Sequence, residues 1–487
     1  MSSAASMPAV ASPSTEAEGA DLDLLLARQR EAFLRAGPPG HELRVAALDK
    51  LQRMIVKFRD DIVRAVNEDF GNRSAHETML AEVLTSLETV RYTRKHLKRW
   101  MRPQKRPLDR TKFTFARARV HYQPLGVVGI ISPWNYPVYL ALSPLVAAIG
   151  AGNRVMLKPS ELTPRTSALL KRMIAETFDP SEIVVVTGGP EIGEAFSRLK
   201  FDHLLFTGST SIGRRVMQAA AENLVPVTLE LGGKSPAIVA PDYPMDKAVQ
   251  SIVSGKLLNA GQTCIAPDYV FVPRAKQQDF VAKARAVTAR LYPTLAANPD
   301  YTAIVSDRHY QRLQRLSEEA RQSGVEVIEL TGSTESLSNQ RKIAPTLLLD
   351  PDDRLAVMQE EIFGPLLPVK GYDDLNETID YVNRHPRPLA LYLFSDDANV
   401  TDRVLARTTS GGVTVNDTLY HVAAEDLPFG GVGPSGIGAY HGWEGFATFS
   451  HAKGTFYQSK RNLGGMLRPP YGPRMDRLLK FMLRRSL

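Results

Sequence analysis

Cys264, the only cysteine among 487 residues, is the side chain in this sequence best suited to covalent chemistry. A thiol that occurs once cannot form an intramolecular disulfide, so it is either a buried apolar side chain or a nucleophile. Its surroundings favour the nucleophile. Gly261 offers a turn just before it, a helical pattern covers 245–258 and a strand pattern covers 269–272. Cys264 is therefore predicted at a junction between elements, where a side chain can face a cleft.

Three charged residues end predicted strands and are further candidates for a site. Glu230 ends strand 227–231, where its carboxylate could act as a general base on water. It also lies 22 residues after Gly208, near the spacing at which an acid binds ribose in an ordinary dinucleotide fold, so both roles stay open. Lys158 and Glu161 end another strand and could hold an adenosine ribose. The alternative for each of these residues is a solvated surface charge.

A phosphate-binding turn is predicted at 208–213, with the sequence GSTSIG. It follows strand 203–206 and opens a helix, where free backbone N–H groups and the helix dipole attract an anion. Thr210 replaces the middle glycine of the usual dinucleotide fingerprint, so a dinucleotide here should lie differently from the usual pose. The residues of this turn assigned to a cofactor are Gly208, Ser209 and Gly213.

Two other glycine-rich segments resemble phosphate-binding motifs in sequence but lack the features that those motifs require. GVGPSG at 431 follows no predicted strand, and Pro434 stands where the turn should enter a helix. GGKS at 232 resembles the end of a P-loop, but Thr228 stands where that motif needs its first glycine. Neither segment is predicted to bind phosphate.

The elements that must position these residues follow an α/β pattern. Alternating strand and helix patterns run from 126 to 231, and a second series runs from 236 to about 416. Strands separated by helices of about 10–15 residues imply right-handed crossovers and parallel sheets. The sequence thus predicts two doubly wound α/β domains with a ligand cleft between them. A long amphipathic helix is predicted over 44–70, and an exposed strand used for association over 111–122, with a register slip near its middle.

Charge and hydropathy limit the partners. The net charge of +8 and the basic stretch 91–112 admit nucleic acid, but no nucleic-acid motif accompanies them, so a solvated basic face is favoured. The basic amphipathic segment 475–487 is expected to pack on the protein's own body rather than rest on a membrane. Segment 1–20 lacks the features of a signal peptide and is predicted to be a disordered tail. No apolar run approaches the roughly 20 residues of a membrane span. A cytoplasmic protein without stable membrane association, nucleic acid or metal is expected.

Seven short motifs occur in one order, and together they resemble the NAD(P)-dependent aldehyde dehydrogenases. They are PWNYP at 133, LKPSE at 157, FTGST at 206, LELGGK at 229, GQTC at 261, EEIFGP at 360 and PFGG at 428. The resemblance covers about 44–458. Segments 261–269 and 411–417 are similar to the class 3 branch, and 416–422 with 429–436 are similar to its bacterial coniferyl aldehyde dehydrogenases.

The resemblance implies a catalytic mechanism. Cys264 would attack the aldehyde carbon, and the Asn135 amide with the Cys264 backbone N–H would hold the oxyanion. Glu230 would deprotonate the water that hydrolyses the thioester, which assigns it to base chemistry. The expected substrate is an aromatic aldehyde such as coniferaldehyde, with a medium- or long-chain aliphatic aldehyde as the alternative. Alternatives of another class are a thiol esterase or hydrolase that pairs Cys264 with a histidine, and a non-catalytic basic binding protein.

The resemblance also implies NAD as cofactor, with NADP as the alternative. The carboxylate of Glu161 should repel a 2′-phosphate, which favours NAD. The implied contacts are Lys158 and Glu161 with the adenosine ribose, Ser209 with the pyrophosphate, Glu361 with the nicotinamide ribose, Phe363 with the nicotinamide face, and Trp134 along the cofactor cleft.

A domain plan and a homodimer follow from the same resemblance. The expected parts are an NAD-binding domain at 21–110 and 123–230, a catalytic domain at 231–425, an oligomerisation element at 111–122 and 443–460, and a basic extension at 461–487.

Overall fold

The computed structural model describes residues 15–110, 113, 115–331, 337–462 and 468–484. Helices form its N-terminal part, and the first begins within the segment predicted as a disordered tail; residues 1–14 lie outside the described part. These helices are α1 (Thr15–Ala36), α2 (His41–Phe70), α3 (Ala75–Thr78), a π-helix (Met79–Leu84) and α4 (Thr85–Trp100). The predicted helix 44–70 is confirmed as α2. Most of its apolar positions are buried, and Gly71 ends it in the left-handed conformation (φ 78°).

The first α/β layer is a six-stranded sheet. Its chain order is β3 (Val127–Ile131), α5 (Tyr139–Ala151), β4 (Arg154–Lys158), α6 (Pro164–Ala175), β5 (Ile183–Val185), α7 (Pro190–Ser197), β6 (His203–Thr207), α8 (Thr210–Ala221) and β7 (Val227–Glu230). These five strands are parallel, and β15 (Gly436–Ile437) adds an antiparallel edge, in the order β15-β7-β6-β3-β4-β5. The order changes direction at β3, so β3 and β6 flank the crevice where such sheets bind ligands.

The second layer is a seven-stranded sheet. Its strands are β8 (Pro236–Val239), β9 (Tyr269–Pro273), β10 (Glu326–Glu329), β11 (Thr346–Leu349), β12 (Leu366–Tyr372), β13 (Ala390–Phe394) and β14 (Gly412–Val415). Their order is β10-β11-β12-β9-β8-β13-β14, with β10 antiparallel at one edge. Around it lie α9 (Met245–Leu257), α10 (Gln277–Leu291), α11 (Asp307–Gln322), α12 (Ala356–Gln359), α13 (Leu375–Arg384), α14 (Ala398–Arg407) and α15 (Tyr420–Ala423), with 3-10 turns at Leu258–Gly261, Arg274–Lys276 and Ser338–Gln340. The two predicted α/β series are therefore confirmed.

A third, antiparallel sheet joins distant parts of the chain. It contains β1 (Gln104–Arg106), β2 (Arg117–Pro124) and β16 (Ser450–Tyr457), in the order β1-β2-β16. The strand predicted over 111–122 begins only at Arg117, after Phe115 adopts the left-handed φ of 61°. That break lies where the alternation changes register; residues 111, 112 and 114 lie outside the described part. Helices α16 (Gly442–Thr448) and α17 (Pro473–Arg484) complete the chain.

No helix in the described ranges is both long enough and apolar enough to cross a bilayer.

A left-handed turn delivers the chain from α9 to Cys264. Asn259, Ala260 and Gly261 have φ values of 51°, 51° and 75°. Left-handed backbone strains residues that have a side chain, whereas glycine adopts it freely. A Cβ at Gly261 would also overlap the carbonyl oxygen of Gly364. Glycine at 261 is therefore required both by backbone conformation and by space.

We predict that Gly261→Ala lowers the free energy of unfolding by about 2–4 kcal/mol, because strain and overlap add. The measurement is denaturant unfolding. Gly324→Ala is the matched control, since Gly324 has a similar φ of 80° and open space around its missing Cβ, so it isolates backbone strain. Equal destabilisation by the two substitutions would show that the overlap with Gly364 contributes nothing.

Candidate active site

Gln262 anchors the turn that presents Cys264. Its fully buried side chain donates to the carbonyl oxygens of Asn259 and Ala303, both at 3.0 Å, and accepts the Val305 N–H at 3.0 Å. The amide therefore uses both its N–H groups and its oxygen to hold the backbone. Cys264 itself is partly buried and packs against the hydrophobic core.

Asn135 lies against this turn. The loop after β3 carries it, and its side-chain amide donates to the carbonyl oxygen of Gln262 at 3.2 Å. Its backbone carbonyl accepts from Arg73 at 2.8 Å and from the Asn259 side chain at 3.0 Å. An amide nitrogen carries two N–H groups, so one remains after the bond to Gln262. The structure thus brings Asn135 and the cysteine turn together.

A buried ion pair fixes the loop that carries Asn135. Arg73 and Glu82 lie 3.1 Å apart, and both side chains are fully buried. Glu82 also accepts the N–H groups of Val138 at 2.6 Å and Tyr139 at 3.2 Å. Burial raises the pKa of Glu82, while Arg73 and the two N–H groups lower it. Arg73 lies in the link between α2 and α3 and Glu82 lies in the π-helix, so nothing in the sequence indicated that these two charges meet.

Glu230 ends β7 with its carboxylate buried, at 2% exposure. Among the described residues neither of its carboxylate oxygens has a hydrogen-bond partner. Burial raises the pKa of Glu230 well above its ordinary value. After burial and the charge of Glu361, the charge of Glu230 is a further cause that raises the pKa of the Cys264 thiol. A buried carboxyl with unused oxygens beside a thiol has the properties of a general base that accepts a proton from water.

Glu361 is a second carboxyl near the thiol. Its carboxylate accepts a hydrogen bond from the backbone N–H of Gly233. The carboxylate also lies so close to Gly232 that a Cβ on that residue would overlap it. Burial raises the pKa of Glu361 to about 8, the charge of Asp268 adds to the rise, and the Gly233 N–H with nearby cations opposes it. The double glycine of the LELGGK motif therefore makes room for this carboxyl.

The pKa of the Cys264 thiol reflects the combined effect of its burial and these neighbours. Burial first, then the charges of Glu361 and Glu230, raise the pKa of Cys264 to about 12. The backbone N–H groups of Cys264 and Ile265 oppose the rise. Among the described residues no histidine hydrogen-bonds to the thiol.

The predicted cofactor residues lie at the carboxyl ends of the parallel strands. Ser209 caps α8, where its hydroxyl accepts the Ile212 N–H, and Gly213 packs against Leu231 in the first turn of that helix. Gly208 follows β6, and a Cβ there would meet the Phe206 ring at 2.6 Å. The open N-terminus of α8 is a suitable position for a phosphate.

Lys158 ends β4 and is buried, with its ammonium 3.6 Å from the exposed carboxylate of Glu161. Burial lowers the pKa of Lys158, and Glu161 raises it. Ser132 after β3 and Thr207 at the end of β6 were missed by sequence reasoning. Their hydroxyls are buried and, among the described residues, have no partner. Orphaned hydroxyls beside the crevice fit a polar ligand.

Trp134 and Phe363 contact each other. Their ring centroids lie 5.3 Å apart at 70°, and Trp134 also meets His309 at 5.0 Å. Phe363 has a left-handed φ of 52°, a strained conformation for an aromatic residue. The two residues predicted for the cofactor cleft therefore lie together, although they are 229 positions apart in the chain.

The lysine of the P-loop look-alike has a structural role. Lys234 pairs with Asp268 and donates to the carbonyl oxygens of Val357 at 2.8 Å and Glu360 at 3.1 Å. The other oxygen of Asp268 accepts the Ile362 N–H at 3.0 Å. This pair ties the LELGGK motif to the EEIFGP motif. The other look-alike, at 431–436, turns back to pair with β7, and no helix begins there.

Aromatic side chains near the thiol divide into buried and exposed sets. Tyr136 is buried and bonds to the hydroxyl of Thr263 at 2.8 Å. Phe429 is buried and meets Tyr440 at 5.9 Å. Tyr440 is buried as well, whereas Tyr420 is 66% exposed. Tyr136 and Phe429 therefore lie in the protein interior, and Tyr420 lies at the surface.

We predict that Glu361→Gln accelerates alkylation of Cys264 by iodoacetamide about threefold or more, but only above about pH 8. Below that pH Glu361 is protonated and neutral, so its removal changes nothing. Above it the variant lacks a negative charge that raises the pKa of the thiol. The measurement is the alkylation rate against pH without cofactor.

Glu360→Gln is the control for this titration, since that neighbouring carboxylate is 61% exposed and solvent screens its charge. Superimposable profiles for Glu361→Gln and the unsubstituted protein up to pH 10 would contradict the electrostatic contact.

The chain is similar to proteins of one known family. The sequence model described as the Aldehyde dehydrogenase family matches residues 9–455. A probable coniferyl aldehyde dehydrogenase of Caulobacter vibrioides is 53% identical over 465 residues, which cover 94% of this chain and 96% of that protein.

Two solved structures are similar over nearly the whole chain. The substrate-bound state of Staphylococcus aureus AldH has a TM-score of 0.89 at 38% identity, covering 95% of this chain and 99% of that one. An aldehyde dehydrogenase of Mycobacterium tuberculosis in complex with NAD+ has a TM-score of 0.82 at 28% identity, covering 91% and 92%.

Proposed function

This chain belongs to the aldehyde dehydrogenase family, and from that premise we propose that it uses NAD to oxidise an aromatic aldehyde, such as coniferaldehyde, to its carboxylic acid. The observation that carries the proposal is the grouping of a half-buried thiol, the Asn135 amide and the unpartnered carboxyl of Glu230. Those three groups supply a nucleophile, an oxyanion donor and a base, which are the parts that aldehyde oxidation through a thioester requires.

Cys264 reacts as the thiolate, which forms when its thiol, protonated at rest, gives up its proton to solvent water. Its sulfur forms a bond to the aldehyde carbon, and the carbonyl oxygen becomes an oxyanion. The remaining N–H of Asn135 and the backbone N–H of Cys264 would stabilise that oxyanion; losing one such donor typically costs about 100-fold or more in rate. Since Arg73 and Gln262 hold the two backbones, the donors are positioned before charge develops.

Glu230 acts in the second half of the reaction. Its carboxylate takes a proton from water, the resulting hydroxide attacks the thioester carbon, and the carbon–sulfur bond breaks to release the acid and the thiolate. Burial favours the protonated carboxyl, so the base becomes available as the pH rises. This is the role that we propose for Glu230, rather than binding ribose.

The site that we assign to NAD is the crevice at the carboxyl ends of β3, β4 and β6. The residues that would hold it are Lys158, Glu161, Gly208, Ser209, Gly213, Glu361, Phe363 and Trp134. The orphaned hydroxyls of Ser132 and Thr207 and the open N-terminus of α8 support this assignment. When bound, NAD accepts the hydride that leaves the aldehyde carbon. The negative charge of Glu161 beside Lys158 favours NAD over NADP.

The aromatic substrate rests on similarity to the relative from Caulobacter vibrioides and on the aromatic rings near the thiol. Tyr136, Phe429 and Tyr440 offer ring faces on which an aromatic aldehyde can pack. A medium- or long-chain aliphatic aldehyde is the alternative, since the same rings also bury alkyl chains.

A cytoplasmic homodimer completes the proposal. The β1-β2-β16 sheet has antiparallel pairing and presents Phe456 at 47% and Tyr457 at 37% exposure along β16. Exposed aromatic residues on such a sheet are suited to contact with a second copy. The oligomerisation element is therefore proposed at β2 and β16, and the two α/β layers are proposed as the cofactor and catalytic domains.

Replacing Cys264 by Ala should reduce NADH formation by about 10⁴-fold or more, because no other group can form the thioester. The affinity for NAD should change by less than about twofold relative to the unsubstituted protein. Quenching of tryptophan fluorescence measures this affinity, since Trp134 lies by the proposed cofactor cleft. Steady turnover of benzaldehyde or coniferaldehyde by this variant would refute the nucleophile assignment.

Replacing Glu230 by Gln should leave a burst of NADH equal to the number of sites and slow the following steady rate by about 10²–10⁴-fold. The rise of the steady rate with pH should disappear as well, because its raised carboxyl pKa is removed. Stopped-flow absorbance separates the two phases. A variant that keeps its steady rate but binds NAD weakly would instead favour ribose binding by Glu230.

A further inference from the structure

A buried histidine lies among the aromatic side chains proposed to receive the substrate ring. His441 is 1% exposed. Its imidazole stacks on Phe429, with ring centroids 5.0 Å apart at 20°, and meets Tyr440 at 4.7 Å. Tyr139 approaches from α5, and its hydroxyl oxygen lies 3.3 Å from Nε2 of His441. Ring contacts and one hydrogen bond therefore fix the imidazole.

The second ring nitrogen of His441 is not satisfied by the protein. Among the described residues, its Nδ1 is buried and has no hydrogen-bond partner. Ser143 lies one turn after Tyr139 on α5, and its buried hydroxyl has no partner in the described part of the chain either. Buried polar atoms without a partner are rare, and each one calls for a ligand or another explanation. Two such groups adjoin Tyr139.

A hydroxyl group suits Nδ1 in either neutral form of His441. If Nε2 donates to Tyr139, Nδ1 is an acceptor, and if Nε2 accepts from Tyr139, Nδ1 is a donor. A hydroxyl both donates and accepts, whereas a carbonyl or ether oxygen only accepts. Burial, with a smaller effect of His421, lowers the pKa of His441 to about 3. The ring is therefore neutral near pH 7 and offers no charge to an anion.

Tyr136 connects this histidine to the nucleophile turn. Its hydroxyl oxygen lies 2.8 Å from that of Thr263, the residue before Cys264. Its ring packs in one buried cluster with Tyr139, three residues further along the chain. The rings thus lead from the neighbour of Cys264 to His441. When the thiol holds the aldehyde carbon of a substrate, a hydroxyl in the para position of its ring is directed away from the sulfur.

We propose that His441 is a specificity-determining residue whose Nδ1 hydrogen-bonds the para hydroxyl of a phenolic aldehyde. The inference rests on the proposed aldehyde oxidation and narrows its substrates from aromatic aldehydes to 4-hydroxyaryl aldehydes. Ring faces alone discriminate weakly between a substrate with a hydroxyl and one without it, whereas a directed hydrogen bond to that hydroxyl favours the substrate that carries it.

The test compares two substrates that differ only in the ring hydroxyl, 4-hydroxycinnamaldehyde and cinnamaldehyde. With NAD, kcat/KM of the unsubstituted protein should favour the hydroxylated substrate by about tenfold or more. The ratio of the two kcat/KM values is the readout, because it does not depend on the amount of folded protein. Comparing the ratio between variants also cancels the intrinsic reactivities of the two aldehydes.

Two substitutions of His441 separate the roles of its nitrogens. The amide of Gln lies near the position of Nε2, so His441→Gln can keep the bond to Tyr139 but has no polar atom at Nδ1. It should lower the ratio by about tenfold. The shorter amide of Asn lies near the position of Nδ1, so His441→Asn should keep the ratio within about threefold of the unsubstituted protein. A purely structural role would change kcat/KM for both substrates equally.

An unchanged ratio in His441→Gln would overturn the proposal and assign Nδ1 to a bound water. An equal loss of the ratio in His441→Asn and His441→Gln would assign the preference to packing of the ring, which also overturns it.

A binding experiment separates this inference from the proposed function. Failure to oxidise either aldehyde would refute the proposed function alone. 4-Hydroxycinnamic acid and cinnamic acid are then compared as protectants of Cys264 against iodoacetamide. The hydroxylated acid should protect at an about tenfold lower concentration and lose this advantage in His441→Gln. Equal protection by the two acids, or protection by neither, would overturn the role of His441.

Discussion

The structure depends on the burial, away from water, of three acidic side chains at one cleft. Cys264, Glu230 and Glu361 are close enough for the two carboxyl charges to act on the thiol, and burial raises the pKa of all three. Two buried negative charges beside a thiolate would be costly in a low-dielectric site. The site therefore favours protonated acids at rest. The same desolvation raises the basicity of Glu230, as the role of base proposed for it requires.

The surrounding scaffold is rigid where the reaction requires donors. Gln262 uses its whole amide on the cysteine turn, and Arg73 with Glu82 fixes the loop of Asn135 from both sides. A buried ion pair is weak evidence for stability, because desolvation offsets much of the attraction. Here the ion pair fixes the position of the loop, since each partner makes further hydrogen bonds to the loop backbone. Two segments far apart in the sequence thereby hold Asn135 against the turn that carries Cys264.

The periodic spacing of apolar residues was sufficient to predict most of the helices and strands that carry the site residues. Helix α2, strands β3 to β7 and the helices between them lie where apolar spacing placed them, because their burial follows a repeating local pattern. The strand expected over 111–122 differs. Phe115 takes a left-handed φ and the strand starts two residues later, since alternation records which face is covered but not where pairing with β16 begins.

Sequence by itself determined the nucleophile candidate, the phosphate turn and the α/β order, because a unique thiol, glycines at a turn and local periodicity depend on near neighbours. Tertiary structure alone decided that Glu230 lies by the thiol, that Lys234 pairs with Asp268 and that Arg73 and Glu82 support Asn135. Those relations join residues from different elements. Their strength depends on burial, which is a property of the whole packed chain and has no signature in any short segment.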